Sequence, residues 1–292
     1  MTRINVLVAG GTGYLGYKLV NALLDDGAYS VAVLARVGTR GENLENIKKR
    51  NIRLITVDYG NHAELVQAMQ GIDIVASMVD YHAVGEPQFA LIRAAKAAGV
   101  RRFVPSDFSS NVDTMQRMIH DDPAALERLI NEVGIEYTRY FVGFSYAYLF
   151  SPFMGIDLEN KAFRIIGDGS AAVSIIYSDD IAKYIAASLK DPRSRNAHLY
   201  IESATITINQ FIATVEKILD IKLTVATEPV GHAKVDPASP NALQEGHLIS
   251  YLTMLGTGKL QNPRQDNKLF PSVSTLSLEE FLRTRMDEVL ME

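Results

Sequence analysis

The chain has 292 residues, a length that suits one large domain or two closely joined ones. Its 29 basic and 34 acidic residues give a formal net charge of −5, which argues against nucleic acid as the main partner, because phosphate contacts need clustered Lys and Arg. The absence of cysteine excludes disulfides, thiolate nucleophiles and iron–sulfur clusters.

The hydropathy of the chain and the spacing of its histidines argue against a membrane partner and a metal site. No apolar run approaches the roughly 20 residues of a membrane span, and the apolar start is too short for a signal-peptide core. The six histidines are scattered and form no HExxH motif. We therefore expect a cytoplasmic protein with no membrane partner and no metal site.

Short β-branched runs alternate with helical stretches over the first half of the chain. In chain order the predicted elements are a strand at 5–9, a helix at 14–25, strands at 30–35, 53–57 and 72–79, a helix at 88–98, a strand at 102–105, a helix at 123–133 and a strand at 137–142. Strand–helix alternation with almost continuously apolar strands predicts an α/β fold: a Rossmann-type doubly wound parallel sheet with helices on both faces.

The alternation breaks down after residue 144. Predicted strands lie at 161–166, 172–177 and 198–201, and predicted helices at 178–189, 207–219 and 277–286, with 228–245 as a loop. Their N-caps are predicted as Ser178 or Asp179, then Thr207, and then Ser277 in a capping box with Glu280. We expect a nucleotide-binding domain at 1–150, with contributions from about 172–200, and a smaller α+β substrate-binding region at 151–292.

The loop after the first predicted strand carries the strongest functional signal. Gly10, Gly13 and Gly16 follow a strand and open a helix, which is the context that a dinucleotide-binding loop requires. Glycines allow the backbone to approach a pyrophosphate, and the helix N-terminus faces its negative charge. Thr12, Tyr14 and Leu15 complete the predicted cofactor loop. Tyr17 occupies the lysine position of a GxxxxGK[ST] motif, so that motif is excluded.

The end of the second predicted strand indicates which dinucleotide binds. An acidic residue there would bind the ribose 2′-hydroxyl of NAD, whereas a basic residue accommodates a 2′-phosphate. The decisive position is Arg36, and Arg40 is a second candidate contact. The alternative is a solvated surface arginine. We predict NADP(H) as the cofactor.

Further contacts are expected where strands end, because open α/β sheets bind ligands at their carboxyl edge. The remaining predicted cofactor contacts are Met78, Val79, Ser106, Asp107, Phe108, Phe141 and Val142. The predicted substrate pocket contains His82, Phe144, Tyr146 and Tyr148. Both Tyr146 and Tyr148 lie in an aromatic run, where simple packing is the alternative role.

Six short segments spread over nearly the whole chain carry a resemblance. They are GGTGYLG at 10–16, VRRFVPSDF at 100–108, GIEYT at 134–138, DDIA at 179–182, DPR at 191–193, and LFP at 269–271 followed by 276–282. In these segments the chain resembles the isoflavone reductase and phenylcoumaran benzylic ether reductase branch of the NmrA-like, atypical short-chain dehydrogenase/reductase family. The resemblance implies a Rossmann domain with a smaller substrate domain, bound NADP(H), and small aromatic or phenolic substrates.

One departure from that family concerns proton transfer. Active members of the branch carry a lysine on the helix before the segment that matches 134–138, and the resemblance places that position near Pro123. No lysine occurs from 97 to 160. His120 and Tyr81 are the candidate replacements, since an imidazole or phenol could act as acid or base. A surface role is the alternative for each.

Three functions therefore stay open at this stage. The first is an NADPH-dependent reductase of a small aromatic or polycyclic substrate. The second is a non-redox cyclase or isomerase that keeps the same NADP-bound pocket. The third is an NADP-sensing regulator. The sequence identifies neither the substrate nor the oligomeric state, monomer or homodimer.

Overall fold

The structure is a computed structural model that describes residues 3–108, 122, 124–151, 154–235, 238 and 240–289. At residues 81, 288 and 289 the description covers the backbone alone. Within these ranges no helix is both long and apolar enough to cross a membrane.

A parallel sheet of seven strands organises the first part of the chain. Its members are β1 (Ile4–Ala9), β2 (Tyr29–Arg36), β3 (Arg53–Val57), β4 (Ile74–Ser77), β5 (Arg102–Val104), β6 (Glu136–Val142) and β11 (Ala197–Ile201). The order across the sheet is β11-β6-β5-β4-β1-β2-β3, and every neighbouring pair is parallel. The strand order reverses between β1 and β4, the place where doubly wound sheets bind ligands. The predicted Rossmann-type fold is confirmed.

Helices cover both faces of this sheet. They are α1 (Tyr14–Asp26), α2 (Glu42–Lys49), α3 (His62–Ala68), α4 (Glu86–Ala97), α5 (Ala125–Val133) and α7 (Ser178–Leu189). The apolar sides of α1 and α7 share one buried cluster with the sheet, whereas α3, α4 and α5 share the other. Burial on both faces explains why the strands are almost continuously apolar.

The second part of the chain builds two three-stranded sheets around its own apolar cluster. The elements are β7 (Phe144–Ser145), α6 (Tyr146–Leu149), β8 (Ile156–Asp157), β9 (Ala162–Ile166), β10 (Ala172–Ile176), β12 (Ala204–Thr207), α8 (Ile208–Leu219), β13 (Thr224–Glu228), α9 (Ala242–Gly256), α10 (Leu278–Thr284) and α11 (Met286–Val289). The strand orders are β12-β10-β7 and β13-β9-β8. Because β7 continues directly from β6, this region begins at the carboxyl edge of the large sheet.

Two sequence predictions about helix ends need correction. Helix α5 begins at Ala125 rather than at 123, and the carboxylate of Asp122, three residues before the helix, accepts a hydrogen bond from the Ala124 backbone N–H. Neither Ser178 nor Asp179 caps α7, because Tyr177 occupies the N-cap position. At α10, Ser277 does cap the helix by accepting from the Glu280 N–H. The Thr207 cap of α8 is confirmed, with Gln210 closing a capping box.

Candidate functional site

A cavity of about 430 Å³ opens at the carboxyl edge of the large sheet, where β1, β2, β3 and β4 end. Its volume lies within the range of small-molecule sites, about 300–1,000 Å³. The lining residues are Gly10, Thr12, Gly13, Tyr14, Leu15, Ala35, Arg36, Thr39, Tyr59, Met78, Val79, Asp80, Ala83 and Pro87. The cavity therefore brings the glycine loop together with Arg36 and the end of β4.

Glycine is required in this loop for steric reasons. Gly10 has φ +77°, and a Cβ placed there would lie 2.4 Å from the carbonyl oxygen of Met78. A Cβ at Gly16 would lie 2.1 Å from the carbonyl oxygen of Gly10. The loop thus packs directly on the β4 end, and α1 packs directly on the loop. The first turn of α1 contains no acidic residue, so no carboxylate of the helix itself opposes its positive dipole end at the cavity.

Arg36 and Tyr59 form the end of the cavity farther from β4. Arg36 ends β2, and its side chain is 67% exposed, so its guanidinium is accessible to a ligand. Tyr59 follows β3 and is buried; burial raises the pKa of its phenol to about 12, against the opposing effects of the Arg36 charge and a Gly10 backbone hydrogen bond. Thr39 turns the chain after β2, because its backbone N–H and hydroxyl both donate to the Arg36 carbonyl. Arg40 is exposed and lies outside the lining.

A hydrogen-bond bridge ties the ends of β4 and β5 together. The Ser106 hydroxyl donates to the carbonyl of Val79 at 2.8 Å, and the Ser106 N–H donates to the Gln88 side chain at 2.7 Å. Gln88 is fully buried on α4. Ser106 therefore holds Val79, a lining residue, in place; its direct contact with a cofactor stays a prediction.

Four other predicted cofactor residues lie outside the cavity lining. The buried carboxylate of Asp107 accepts hydrogen bonds from the Arg139 guanidinium. Phe108 stacks on Tyr140 with 6.3 Å between ring centroids. Phe141 is buried against Tyr200, and Val142 belongs to the core shared by α1 and α7. Their contact with a cofactor stays a prediction.

An aromatic wall of Phe144, Tyr148 and Tyr251 lies beyond the end of β6. The centroid distances are 5.3 Å between Phe144 and Tyr148, 6.1 Å between Phe144 and Tyr251, and 6.0 Å between the two tyrosines. Tyr148 is 39% exposed. Burial, followed by the neighbouring Tyr251, raises the pKa of the Tyr148 phenol above its ordinary value. The wall therefore offers aromatic faces together with hydroxyls that stay protonated at neutral pH.

Of the remaining predicted substrate-pocket and catalytic residues, those that the structure describes do not belong to the cavity lining. Tyr146 is fully buried and donates its hydroxyl to the Leu276 carbonyl, which is the packing role that the sequence also allowed. His82 is exposed on the turn Tyr81–Ala83, outside the cavity lining. The side chain of Tyr81 and all of His120 lie outside the described residues. Their proposed catalytic roles stay predictions.

Sequence reasoning missed several residues of the site. Thr39, Tyr59 and Asp80 line the cavity, and Tyr251 completes the aromatic wall. Thr39 and Asp80 lie within three residues of predicted contacts, and Tyr59 lies two residues after a predicted strand, so the rule that strand ends bind ligands could have found them. Tyr251 carried no such signal, because its helix α9 was not predicted.

Comparison with known proteins extends the resemblance noted in the sequence. The model of the NmrA-like family matches residues 2–282. Phenylcoumaran benzylic ether reductase PT1 of Pinus taeda is 30% identical over 246 residues, which cover 78% of this chain and 79% of the relative. Isoflavone reductase homolog P3 of Arabidopsis thaliana is 33% identical over 237 residues, covering 74% of each chain.

A solved structure agrees with the sequence relatives. The structure of AtPrR2 with NADP⁺ and (+)pinoresinol superposes with a TM-score of 0.83 and 26% identity, covering 96% of this chain and 98% of the other. The family model and the structural match both span nearly the whole chain, including the glycine loop. This chain belongs to the NmrA-like family.

Proposed function

We propose that this protein is an NADPH-dependent reductase of a small aromatic substrate. The observation that carries the proposal is the cavity in which the glycine loop, the open N-terminus of α1 and Arg36 meet at the strand-order reversal of the sheet. Two elements of the proposal, an oxidoreductase and NADP(H) as cofactor, were predicted from the sequence and are confirmed by the reductase relatives and by the NADP⁺-bound structural neighbour.

The residues of the cavity fit the cofactor. A Cβ at Gly10 would fill the place where the loop approaches β4, and the N–H groups in the first turn of α1 have no intrahelical partner, so they can bind a pyrophosphate. Arg36 is positioned for a 2′-phosphate. NADPH supplies a hydride when bound, and the protein supplies orientation and electrostatics.

The aromatic wall supports an aromatic substrate. Offset or edge-to-face contacts with Phe144, Tyr148 and Tyr251 would hold a flat ring, and aromatic pairs contribute about 0.5–1.5 kcal/mol each beyond burial. The Tyr148 and Tyr251 side chains hydrogen-bond to each other, and the hydroxyl that accepts in this pair would donate its own proton to an ether or phenolic oxygen. Phe144 of the wall follows β6 by two residues, so the wall begins at the same edge of the sheet as the cofactor cavity.

Titration calorimetry tests the cofactor half of this proposal. Arg36→Ala should weaken NADPH binding about tenfold or more and change NADH binding little, because one charge-assisted phosphate contact is lost. Arg40→Ala removes the same charge from the same loop outside the cavity lining and serves as the matched control. Equal effects of the two substitutions on NADPH affinity would contradict the assignment of Arg36.

Turnover assays test the substrate half. We expect NADPH oxidation with at least one member of a panel of benzylic ethers, furofuran lignans and isoflavones, and a rise in KM on Tyr148→Ala because an aromatic contact is removed. The control is Tyr137→Ala, a half-buried tyrosine on β6 that packs against His198. No NADPH oxidation across the whole panel, by protein that binds NADPH, would overturn the reductase assignment.

A further inference from the structure

The charges that line the cofactor cavity are balanced. Of the described lining residues, Arg36 and Asp80 carry charge, so the lining has no net charge. NADP(H) carries a pyrophosphate and a 2′-phosphate, which make it strongly anionic. A carboxylate in this cavity therefore repels the cofactor. Its one favourable interaction with a charged residue of the described lining is the ion pair with Arg36.

The local backbone holds the Asp80 carboxylate over the cavity. Asp80 follows β4, and its Oδ1 accepts a hydrogen bond from the His82 N–H at 3.0 Å. Its carbonyl accepts from the Ala83 N–H at 2.9 Å, which closes the turn. The position of the carboxylate is thus set by the turn that leaves the sheet.

The other carboxylate oxygen faces Arg36. Asp80 Oδ2 lies 3.9 Å from Arg36 Nη2. Arg36 ends β2 and Asp80 follows β4, and these strands flank β1 on either side. The ion pair therefore spans the glycine loop that follows β1, across the place where a dinucleotide would enter.

This ion pair is weak and can open. The side chains of Arg36 and Asp80 are 67% and 56% exposed, and exposed ion pairs contribute about 0.2–1 kcal/mol. A 2′-phosphate that binds Arg36 must break the pair and then lies near the Asp80 carboxylate. A ribose 2′-hydroxyl brings no such charge and meets no such repulsion.

We propose that Asp80 tunes the cofactor specificity of this protein. Its carboxylate competes with the 2′-phosphate of NADP(H) for Arg36 and so lowers the preference for NADPH over NADH. The inference rests on the proposed function, since it assumes that the cavity binds the dinucleotide. It assigns to Asp80 a role that opposes that of Arg36.

The test compares Asp80→Asn with the wild type by measuring dissociation constants for NADPH and NADH at low salt. Asparagine keeps the oxygen that accepts from the His82 N–H, so the turn is preserved. We expect NADPH to bind about threefold to fivefold more tightly, while the NADH constant changes less than about twofold. The gain should shrink as salt increases, because exposed charges are screened.

Glu86→Gln provides the matched control. It removes one negative charge six residues away, from an exposed side chain that pairs with Arg93 and lies outside the cavity lining. We expect both constants to stay unchanged in this variant. A similar gain in NADPH affinity in Glu86→Gln would overturn the proposal, since overall charge would then explain the effect.

Two results for Asp80→Asn would also overturn the inference. An unchanged ratio of NADPH to NADH affinity would show that Asp80 does not compete for Arg36. A selective loss of NADH binding would show that Asp80 binds the ribose hydroxyls instead. Failure of the wild type to bind either cofactor would refute the proposed function itself, so the two failures are distinguishable.

Discussion

The Asp107–Arg139 ion pair shows how single residues shape the edge of the sheet. Both side chains are almost completely buried, and the guanidinium donates to Asp107 through two of its nitrogens. The guanidinium also lies 3.6 Å from the Glu127 carboxylate and 5.1 Å from the Phe141 ring centroid. The carboxylate that the sequence predicts as a cofactor contact thus holds the end of β5 against β6.

Removing one partner of this pair should destabilise the protein. Asp107→Asn leaves the Arg139 charge buried beside a weaker acceptor, and breaking a buried pair in this way costs about 3–5 kcal/mol. We expect a loss of unfolding free energy near the lower end of that range, measured by urea denaturation.

Asp122→Asn is the control for that prediction, because Asp122 forms an exposed ion pair with Arg128. Its effect on the free energy of unfolding should be small. Equal losses in the two variants would contradict a special role for the buried pair.

The sequence predicts the role of a residue well where that role depends on its neighbours along the chain. Arg36 and the glycines follow from their positions after strands, so a local pattern identifies them. Asp107 has the same kind of position, but its partner Arg139 lies 32 residues away. Long-range pairing of this kind depends on how β5 and β6 align, which a local pattern does not contain.

Helix α4 holds one side of the cavity in place through a chain of hydrogen bonds. Its Gln88 is fully buried and receives the Ser106 N–H, while Ser106 in turn donates to the carbonyl of Val79. One helix therefore connects the ends of β4 and β5. The backbone of Val79, which lines the cavity, depends on this connection.

Gln88→Leu should weaken that connection. The Ser106 N–H would lose its acceptor in a buried setting, which costs about 1–3 kcal/mol of unfolding free energy. We also expect NADPH to bind less tightly, because the β4 end is less well held. Urea denaturation and calorimetry measure the two effects.

Gln70→Leu is the matched control, since Gln70 is exposed just after α3. It should change neither the stability nor the NADPH affinity. If Gln88→Leu is as stable as this control and binds NADPH equally well, the bridge has no structural role.

Elements with a strong apolar pattern were predictable, and weakly patterned ones were not. Strand β3 was predicted at its observed bounds, 53–57, and α7 at 178–189. Helices α2 and α3 were missed because they are short, with two buried residues each. Helix α9 was missed because residues 228–245 contain three prolines and one glycine, which indicate a loop, although the helix begins within that tract at Ala242.

Buried tyrosines make the stability of the protein depend on pH in the alkaline range. Burial raises the pKa of the phenols of Tyr29, Tyr140 and Tyr146 above their ordinary value, and that of Tyr59 to about 12. In the unfolded chain these groups ionise near pH 10. Their contribution to stability is therefore fully present below about pH 10 and is lost as the pH rises towards the folded-state values.

We predict that the free energy of unfolding falls more steeply above pH 10 in the wild type than in Tyr140→Phe. The variant lacks one group that ionises preferentially in the unfolded state, and one such group contributes up to about 1.4 kcal/mol per pH unit. Urea denaturation between pH 7 and 11 measures the difference. Parallel curves above pH 10 would contradict the buried, neutral state of Tyr140.

The overall architecture was predictable because strands and helices alternate regularly through the first 142 residues. Alternating strands and helices specify a doubly wound sheet, and the glycine loop identifies its functional edge. The seventh strand, β11, comes from residues 197–201 and joins the sheet next to β6, a pairing that sequence rhythm alone does not fix. The aromatic wall likewise needs α9 to fold back onto the end of β6.

Deuterium transfer from NADPH labelled at the reactive C4 hydrogen tests the central claim most directly. With a turned-over aromatic substrate, we predict one deuterium on the reduced carbon of the product and one NADP⁺ formed per product molecule. Product that forms without deuterium and without NADP⁺ would contradict a reductase and favour a non-redox reaction in the same pocket.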